Sequence, residues 1–254
     1  MPSLRSVWRV PACVLVTLAF AAMTPLARLF RRDAPGIARL GARFAGGWGW
    51  TMCAILGVER TIEGAIPQGP AFLVAANHVS YLDILLLGSI YPSLFVAKRE
   101  IASWPLFGWV ARGAGTIFVD RDRPKDVIRA GREMAESLDA GVPLTIFPEG
   151  RSSAGATILP FMPSLLEPAA QAGIPCYAVA IRYETPGSDA APASTVCWHD
   201  GSSFPAHFLR LTSLPRIVAR VRFAETPVRS ADRKELAKSL WESAYRSFEP
   251  IRQT

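Results

Sequence analysis

Cysteine, histidine and charge are all scarce in this 254-residue chain. The four cysteines, Cys13, Cys53, Cys176 and Cys197, form no CxxC pair and have no histidine spaced to complete a zinc site. That excludes a disulfide scaffold and a zinc site, and it fits a reducing compartment. Charged residues make up 19% of the chain and hydrophobic ones 50%, too apolar a balance for a disordered protein. The 19 glycines and 21 prolines follow no collagen-like or linker-like period. A nucleophile elbow, G-x-S-x-G, is missing, and so are a nucleotide-binding loop and a metal-ligand cluster. No cofactor or metal is therefore expected.

Acidic residues are nearly absent from the first quarter. Residues 1–60 carry eight arginines against Asp33 and Glu59, a net of +6. The remainder, with 20 basic and 19 acidic residues, has a net of +1. The overall charge of +7 therefore belongs to the N-terminal segment, and a nearly neutral body does not suit nucleic acid. Val10 to Ala27 has no charge at all. As a helix it reaches roughly 27 Å, the lower limit for crossing a bilayer core. Arg5 and Arg9 precede this run and Arg28, Arg31 and Arg32 follow it, where arginines snorkel to headgroups. A signal peptide and a buried helix are the competing readings. In Ile37 to Gly57, Arg39 and Arg43 share a helical face and Trp48 and Trp50 suit an interface, while Gly46, Gly47 and Gly49 weaken a continuous helix. This stretch reads either as an amphipathic hairpin in the leaflet or as a helix packed on the body. The expected division is residues 1–60 as membrane-anchoring helices and residues 61–254 as one α/β domain.

Beyond residue 62, short apolar runs alternate with helical stretches. Strands are expected at 71–75, 94–97, 116–119, 143–147, 177–181, 195–198 and 216–223. Helices are expected at 82–90, 105–112, 124–140, 163–172 and 232–248. That alternation predicts an α/β fold: a mixed, largely parallel sheet flanked by helices, behind a membrane-associated N-terminal segment.

Three blocks carry chemistry. In Asn77-His78-Val79-Ser80-Tyr81-Leu82-Asp83, a strand-to-helix turn brings a histidine and a carboxylate together. Such a carboxylate holds the Nδ1 proton and leaves Nε2 as a base for a substrate hydroxyl. A buried histidine beside a capping aspartate gives the same pattern. Phe147-Pro148-Glu149-Gly150-Arg151-Ser152-Ser153 offers backbone N–H groups, a carboxylate, a guanidinium and two hydroxyls, a set suited to a phosphate or polar headgroup, although a plain strand-end turn also fits. Gly115 to Arg121 ends in an Asp-Arg pair, and Lys98 and Arg99 add positive charge at the end of the preceding strand.

In this order and spacing the chain resembles the glycerolipid acyltransferase family, whose best-known members are the 1-acyl-sn-glycerol-3-phosphate acyltransferases. The family block NHxSxxD is matched by Asn77, His78, Ser80 and Asp83. The second block is matched by Gly115, Ile117, Phe118, Val119 and Arg121, and FPEG by Phe147 to Gly150, with Ser153 at the final serine. Tyr177 to Tyr183 stands in place of a fourth, apolar block, with Ala178 where proline is usual. One departure is that Arg151-Ser152 follows Glu-Gly where the family has Thr-Arg or Thr-Thr.

The resemblance implies acyl transfer from acyl-CoA or acyl-carrier protein to the hydroxyl of a lysophospholipid. The first expectation is 1-acyl-sn-glycerol-3-phosphate, giving phosphatidic acid, with lyso-ornithine lipid as the alternative. His78 is the implied base and Asp83 its orienting partner. Asn77, Ser80, Lys98, Arg121, Glu149, Gly150, Arg151, Ser152 and Ser153 are the implied substrate-binding set. The enzyme is expected on the inner or plasma membrane, among membrane lipids, with its site on the cytoplasmic side. A membrane-bound serine hydrolase using Ser152 or Ser153 and a non-enzymatic membrane-binding protein are the rivals.

Overall fold

The computed structural model describes residues 3–29, 34–69, 71–104, 107–120 and 123–254. Among these, seven strands form one sheet: β1 (Val58–Glu63), β2 (Leu73–Ala76), β3 (Leu94–Lys98), β4 (Ile117–Val119), β5 (Leu144–Ile146), β6 (Cys176–Glu184) and β7 (Ile217–Phe223). Their order is β1-β7-β6-β2-β5-β3-β4. All neighbours run parallel except β6 and β7, so the sheet is mixed and largely parallel as expected.

Side chains alternate between the faces of β2, as the period of a strand requires. Val74 and Ala76 join a core with α1 (Leu4–Leu29), α2 (Ala34–Leu56), α3 (Leu82–Ile90) and α8 (Phe204–Ser213). Leu73 and Ala75 face the opposite core, built from α5 (Pro124–Asp139), α6 (Glu167–Gln171) and α9 (Arg233–Arg246). With both faces covered, the central strands read as continuous apolar runs rather than alternating ones. Short helices α4 (Phe107–Gly113) and α7 (Pro192–Thr195) complete the set. Asp232 caps α9, accepting the N–H groups of Lys234 and Glu235 at 2.7 and 2.9 Å.

Several expectations are corrected. The run 195–198 is no strand, although Thr195, Val196 and Cys197 are buried; α7 ends at Thr195, and the segment continues as a loop. The stretch 163–172 splits into a 3-10 turn, Pro163–Leu165, and α6, with Pro168 in the first turn of α6. β1 and α8 were not foreseen.

α2 is continuous through its glycines. A Cβ at Gly49 would lie 2.5 Å from the Leu85 carbonyl oxygen, and one at Gly41 would lie 2.6 Å from that of Ala114. The missing side chains let α2 lie directly on α3 and on the turn at Ala114.

α1 is inverted relative to an ordinary surface helix. Ser6, Arg9 and Thr17 face the protein and are buried, while Leu4, Val7, Trp8, Leu15 and Leu18 face outward. The span Leu4–Met23 is long and apolar enough to cross a membrane by length and composition. Arg9 does not snorkel. It is 6% exposed and donates to the Thr212 and Leu214 carbonyls at 3.3 and 2.6 Å, at the C-terminal end of α8. Arg39 likewise donates to the Ala140 carbonyl at the end of α5 at 2.7 Å, and Arg60 to Ser89. Among the described residues, these three N-terminal arginines tie the segment to the body. Arg5 and Arg43 remain exposed, and Arg31 and Arg32 lie outside the described residues.

Candidate active site

β2 and β5 are neighbours, with Ala75 opposite Ile146, so the segments leaving their carboxyl ends meet. These segments hold the first and third sequence blocks. In open α/β sheets the carboxyl ends of parallel strands are where ligands bind.

At the end of β2 the chain turns into α3 through residues 77–81. Asp83, the second residue of α3, folds back over that turn. Its Oδ2 accepts from His78 Nδ1 at 2.8 Å, from Val79 N–H at 2.8 Å and from Ser80 N–H at 2.9 Å. Its Oδ1 accepts from the Tyr183 hydroxyl of β6 at 2.8 Å. The carboxylate is fully buried. Because a carboxylate only accepts, Nδ1 of His78 carries the proton and Nε2 presents a lone pair. The imidazole is 20% exposed and lies on the Phe147 ring, with centroids 4.2 Å apart and planes at 21°.

The third block holds the backbone on both sides of His78. Glu149 Oε1 accepts the His78 N–H at 2.8 Å, and the His78 carbonyl accepts from Ser153 N–H at 3.0 Å. Glu149 Oε2 accepts from Leu159 N–H at 3.1 Å. Burial pushes the Glu149 carboxyl up to about 7, against the pull of those two N–H groups. Gly150 closes a turn onto the Phe147 carbonyl at 3.1 Å and has a φ of +77°, a conformation open to glycine. Its N–H is thereby engaged within the turn.

The expected substrate-binding set divides in two. Asn77 is buried and bridges to β6, donating to the Ile181 carbonyl at 3.1 Å and accepting from its N–H at 2.6 Å. Ser80 Oγ accepts from Leu82 N–H at 3.3 Å at the start of α3. With Glu149 these side chains are engaged by the protein's own groups. The Ser152 hydroxyl donates to the Trp198 carbonyl, and Ser153 Oγ accepts from Gly155 N–H at 3.2 Å. Among the described residues neither serine meets a base, as a hydrolase nucleophile must. Lys98, at the end of β3, and Arg151 are exposed cations. Arg121 lies outside the described residues.

Sequence reasoning missed Tyr183, which lies 100 positions from the aspartate it contacts. It also missed an aromatic wall beside the site. Tyr81 packs edge-on to Trp198 and against Phe204, and its hydroxyl donates to His207 Nδ1 at 3.0 Å. His207 Nε2–H donates to the Cys197 carbonyl at 3.1 Å, and burial pulls this imidazole down to about 4, so it is neutral. Beyond Phe204 lies an apolar cavity of about 310 Å³, walled by Val10, Cys13, Phe107 and Phe208 among others.

Residues 58–182 match the family described as Acyltransferase. The 1-acyl-sn-glycerol-3-phosphate acyltransferase of Neisseria meningitidis serogroup B is 36% identical over 195 residues, covering 75% of this chain and 74% of that protein. The lyso-ornithine lipid O-acyltransferase of Pseudomonas aeruginosa is 36% identical over 233 residues, covering 91% of this chain and 87% of that protein. The crystal structure of the 1-acyl-sn-glycerophosphate acyltransferase PlsC from Thermotoga maritima matches with a TM-score of 0.63 at 24% identity, covering 94% of this chain and 95% of that one. That likeness is one of fold.

Proposed function

Because the chain belongs to the acyltransferase family, we propose that it moves a fatty acyl group from an acyl thioester, acyl-CoA or acyl-carrier protein, to the free hydroxyl of a lysolipid. The observation that carries this reading is the 2.8 Å contact between His78 Nδ1 and the buried Asp83 carboxylate. His78 Nε2 takes the proton of the acceptor hydroxyl as its oxygen attacks the thioester carbonyl. Asp83 holds the tautomer and stabilises the imidazolium. Collapse of the tetrahedral intermediate expels the thiolate, which takes the proton back from His78. No covalent acyl-enzyme and no cofactor beyond the thioester co-substrate is needed.

The acceptor proposed first is 1-acyl-sn-glycerol-3-phosphate, giving phosphatidic acid. Lys98, Arg121 and Arg151 are the cations for its phosphate, while Asn77, Ser80 and Glu149 hold the loops that frame it. Lyso-ornithine lipid is the second reading, favoured by the Arg151-Ser152 departure and by the relative of that name that matches 91% of the chain. A fatty chain fits the apolar cavity between α1 and α8. Residues 1–60 form the membrane-attaching part, and residues 61–254 the catalytic domain. The outward apolar face of α1 supports attachment to the inner or plasma membrane, with the site on the cytoplasmic side where the thioesters are made.

The test is transfer of labelled acyl groups by the vesicle-reconstituted protein, crossing both donors with both acceptors. Wild type is expected to acylate at least one acceptor, and folded His78→Ala none. Wild-type rates in His78→Ala overturn the base assignment.

A further inference from the structure

We propose that Tyr183 is a positioning residue for the reaction, setting the Asp83 carboxylate that in turn orients His78. This inference rests on the reading of His78 as the base. Oδ2 of Asp83 is held by the imidazole and by two backbone N–H groups, all within the 77–83 segment. Oδ1 is held from another strand altogether, by the Tyr183 hydroxyl, and among the described residues no other donor reaches it. Both side chains are wholly buried, so no solvent replaces that bond.

The hydroxyl is itself rigidly placed. Tyr183 lies in β6, opposite Ala219 of β7, and two residues earlier Ile181 is locked to Asn77 through both of its backbone groups. The same strand thus holds both ends of the His78 turn, Asn77 through its amide and Asp83 through Oδ1. Burial and the adjacent carboxylate push the Tyr183 hydroxyl well above its ordinary range, so it stays protonated and donates.

Removing this donor has two consequences. The carboxylate loses its only bond on one oxygen and its plane is then set by the Oδ2 contacts alone, so the imidazole is presented less often in the reactive orientation. The carboxylate also becomes more basic and holds the imidazolium more tightly. The titratable groups facing the Asp83–Tyr183 pair besides His78 are Glu149, in the loop after β5, Cys53 of α2 and Cys197, and burial pushes both thiols upward. All three remain in the variant and cancel in the comparison.

The experiment is the pH dependence of acyl transfer by reconstituted wild type, Tyr183→Phe and His78→Ala. Tyr183→Phe is expected to lose about tenfold in kcat with KM for donor and acceptor within twofold, and its acidic limb moves to higher pH. A structural role alone lowers the folded fraction and leaves that limb in place. Incorporating 3,5-difluorotyrosine at position 183 keeps the hydroxyl, strengthens it as a donor and moves the limb to lower pH; this arm decides if Tyr183→Phe does not fold. Wild-type kcat with an unmoved limb in Tyr183→Phe, or an unmoved limb with difluorotyrosine, overturns the positioning role while inactive His78→Ala keeps the base assignment. Active His78→Ala overturns both.

Discussion

The Glu149 carboxylate accepts the backbone N–H of His78 at 2.8 Å, so the third sequence block holds the peptide of the first. Burial pushes this carboxyl from 4.5 up to about 7. Its ionised form is therefore less favourable in the folded protein than in the unfolded chain, and the stability present below pH 4.5 is lost as pH rises toward 7. Glu149→Gln, which cannot ionise, removes that dependence. Between pH 5 and pH 8 wild type is expected to lose roughly 2–3 kcal/mol more than the variant. Denaturant melts in detergent across this range check it, and parallel profiles count against it.

The His78–Asp83 turn and α3 were legible because they depend on local spacing, whereas the strand pairing that brings the first and third blocks together leaves no local mark in the sequence. Tyr183 was not, since nothing in a strand residue 100 positions away marks its partner. β1 escaped notice because it is an edge strand whose residues Glu59, Arg60 and Thr61 are exposed and show no alternation. Residues 195–198 misled in the opposite direction. They are apolar because they pack behind the site, with Trp198 N–H donating to the Val79 carbonyl at 2.8 Å, and burial without periodicity does not distinguish a strand from a loop. Arg9 was counted with the lipid-facing charges, because a charge count does not say which way a helix turns.

Arg9 is expected to act on stability rather than on membrane binding. Its guanidinium satisfies carbonyls at the end of α8, where a cation also meets the favourable end of the helix dipole. Arg9→Met leaves those carbonyls unpaired and costs about 2 kcal/mol, whereas Arg5→Met, at an exposed position, changes stability by less than about 0.5 kcal/mol. Chemical denaturation of both variants reads the difference, and equal effects would show that the α8 contact is immaterial.

The outward face of α1 carries the opposite expectation. Leu15 is 66% exposed and Leu18 is 46% exposed, so charges there disturb no core. If the face lies in a leaflet, each leucine contributes about 1.5–3 kcal/mol to partitioning. The double variant Leu15→Asp, Leu18→Asp is expected to bind vesicles at least about tenfold more weakly and to melt like wild type. Unchanged co-sedimentation with vesicles of anionic lipid would remove this face from the membrane contact.

Alanine substitution separates the two kinds of glycine in α2. In an exposed helix interior Gly→Ala stabilises by up to about 1 kcal/mol. Gly47 is exposed, and a Cβ there meets only the Phe20 ring, at 3.4 Å, so Gly47→Ala is expected to stabilise by about 0.5 kcal/mol. At Gly49 the same methyl comes within 2.5 Å of the Leu85 carbonyl oxygen and 3.3 Å of its Cα, backbone atoms that yield only if α2 and α3 move apart. Gly49→Ala is therefore expected to destabilise by about 1–3 kcal/mol. Because Leu85 lies two residues beyond Asp83 in α3, displacement of that helix also disturbs the carboxylate that orients His78. Melting temperature and kcat are expected to fall together in Gly49→Ala and neither in Gly47→Ala. A stabilised, fully active Gly49→Ala would mean that α2 does not press on α3 as closely as the helix packing requires.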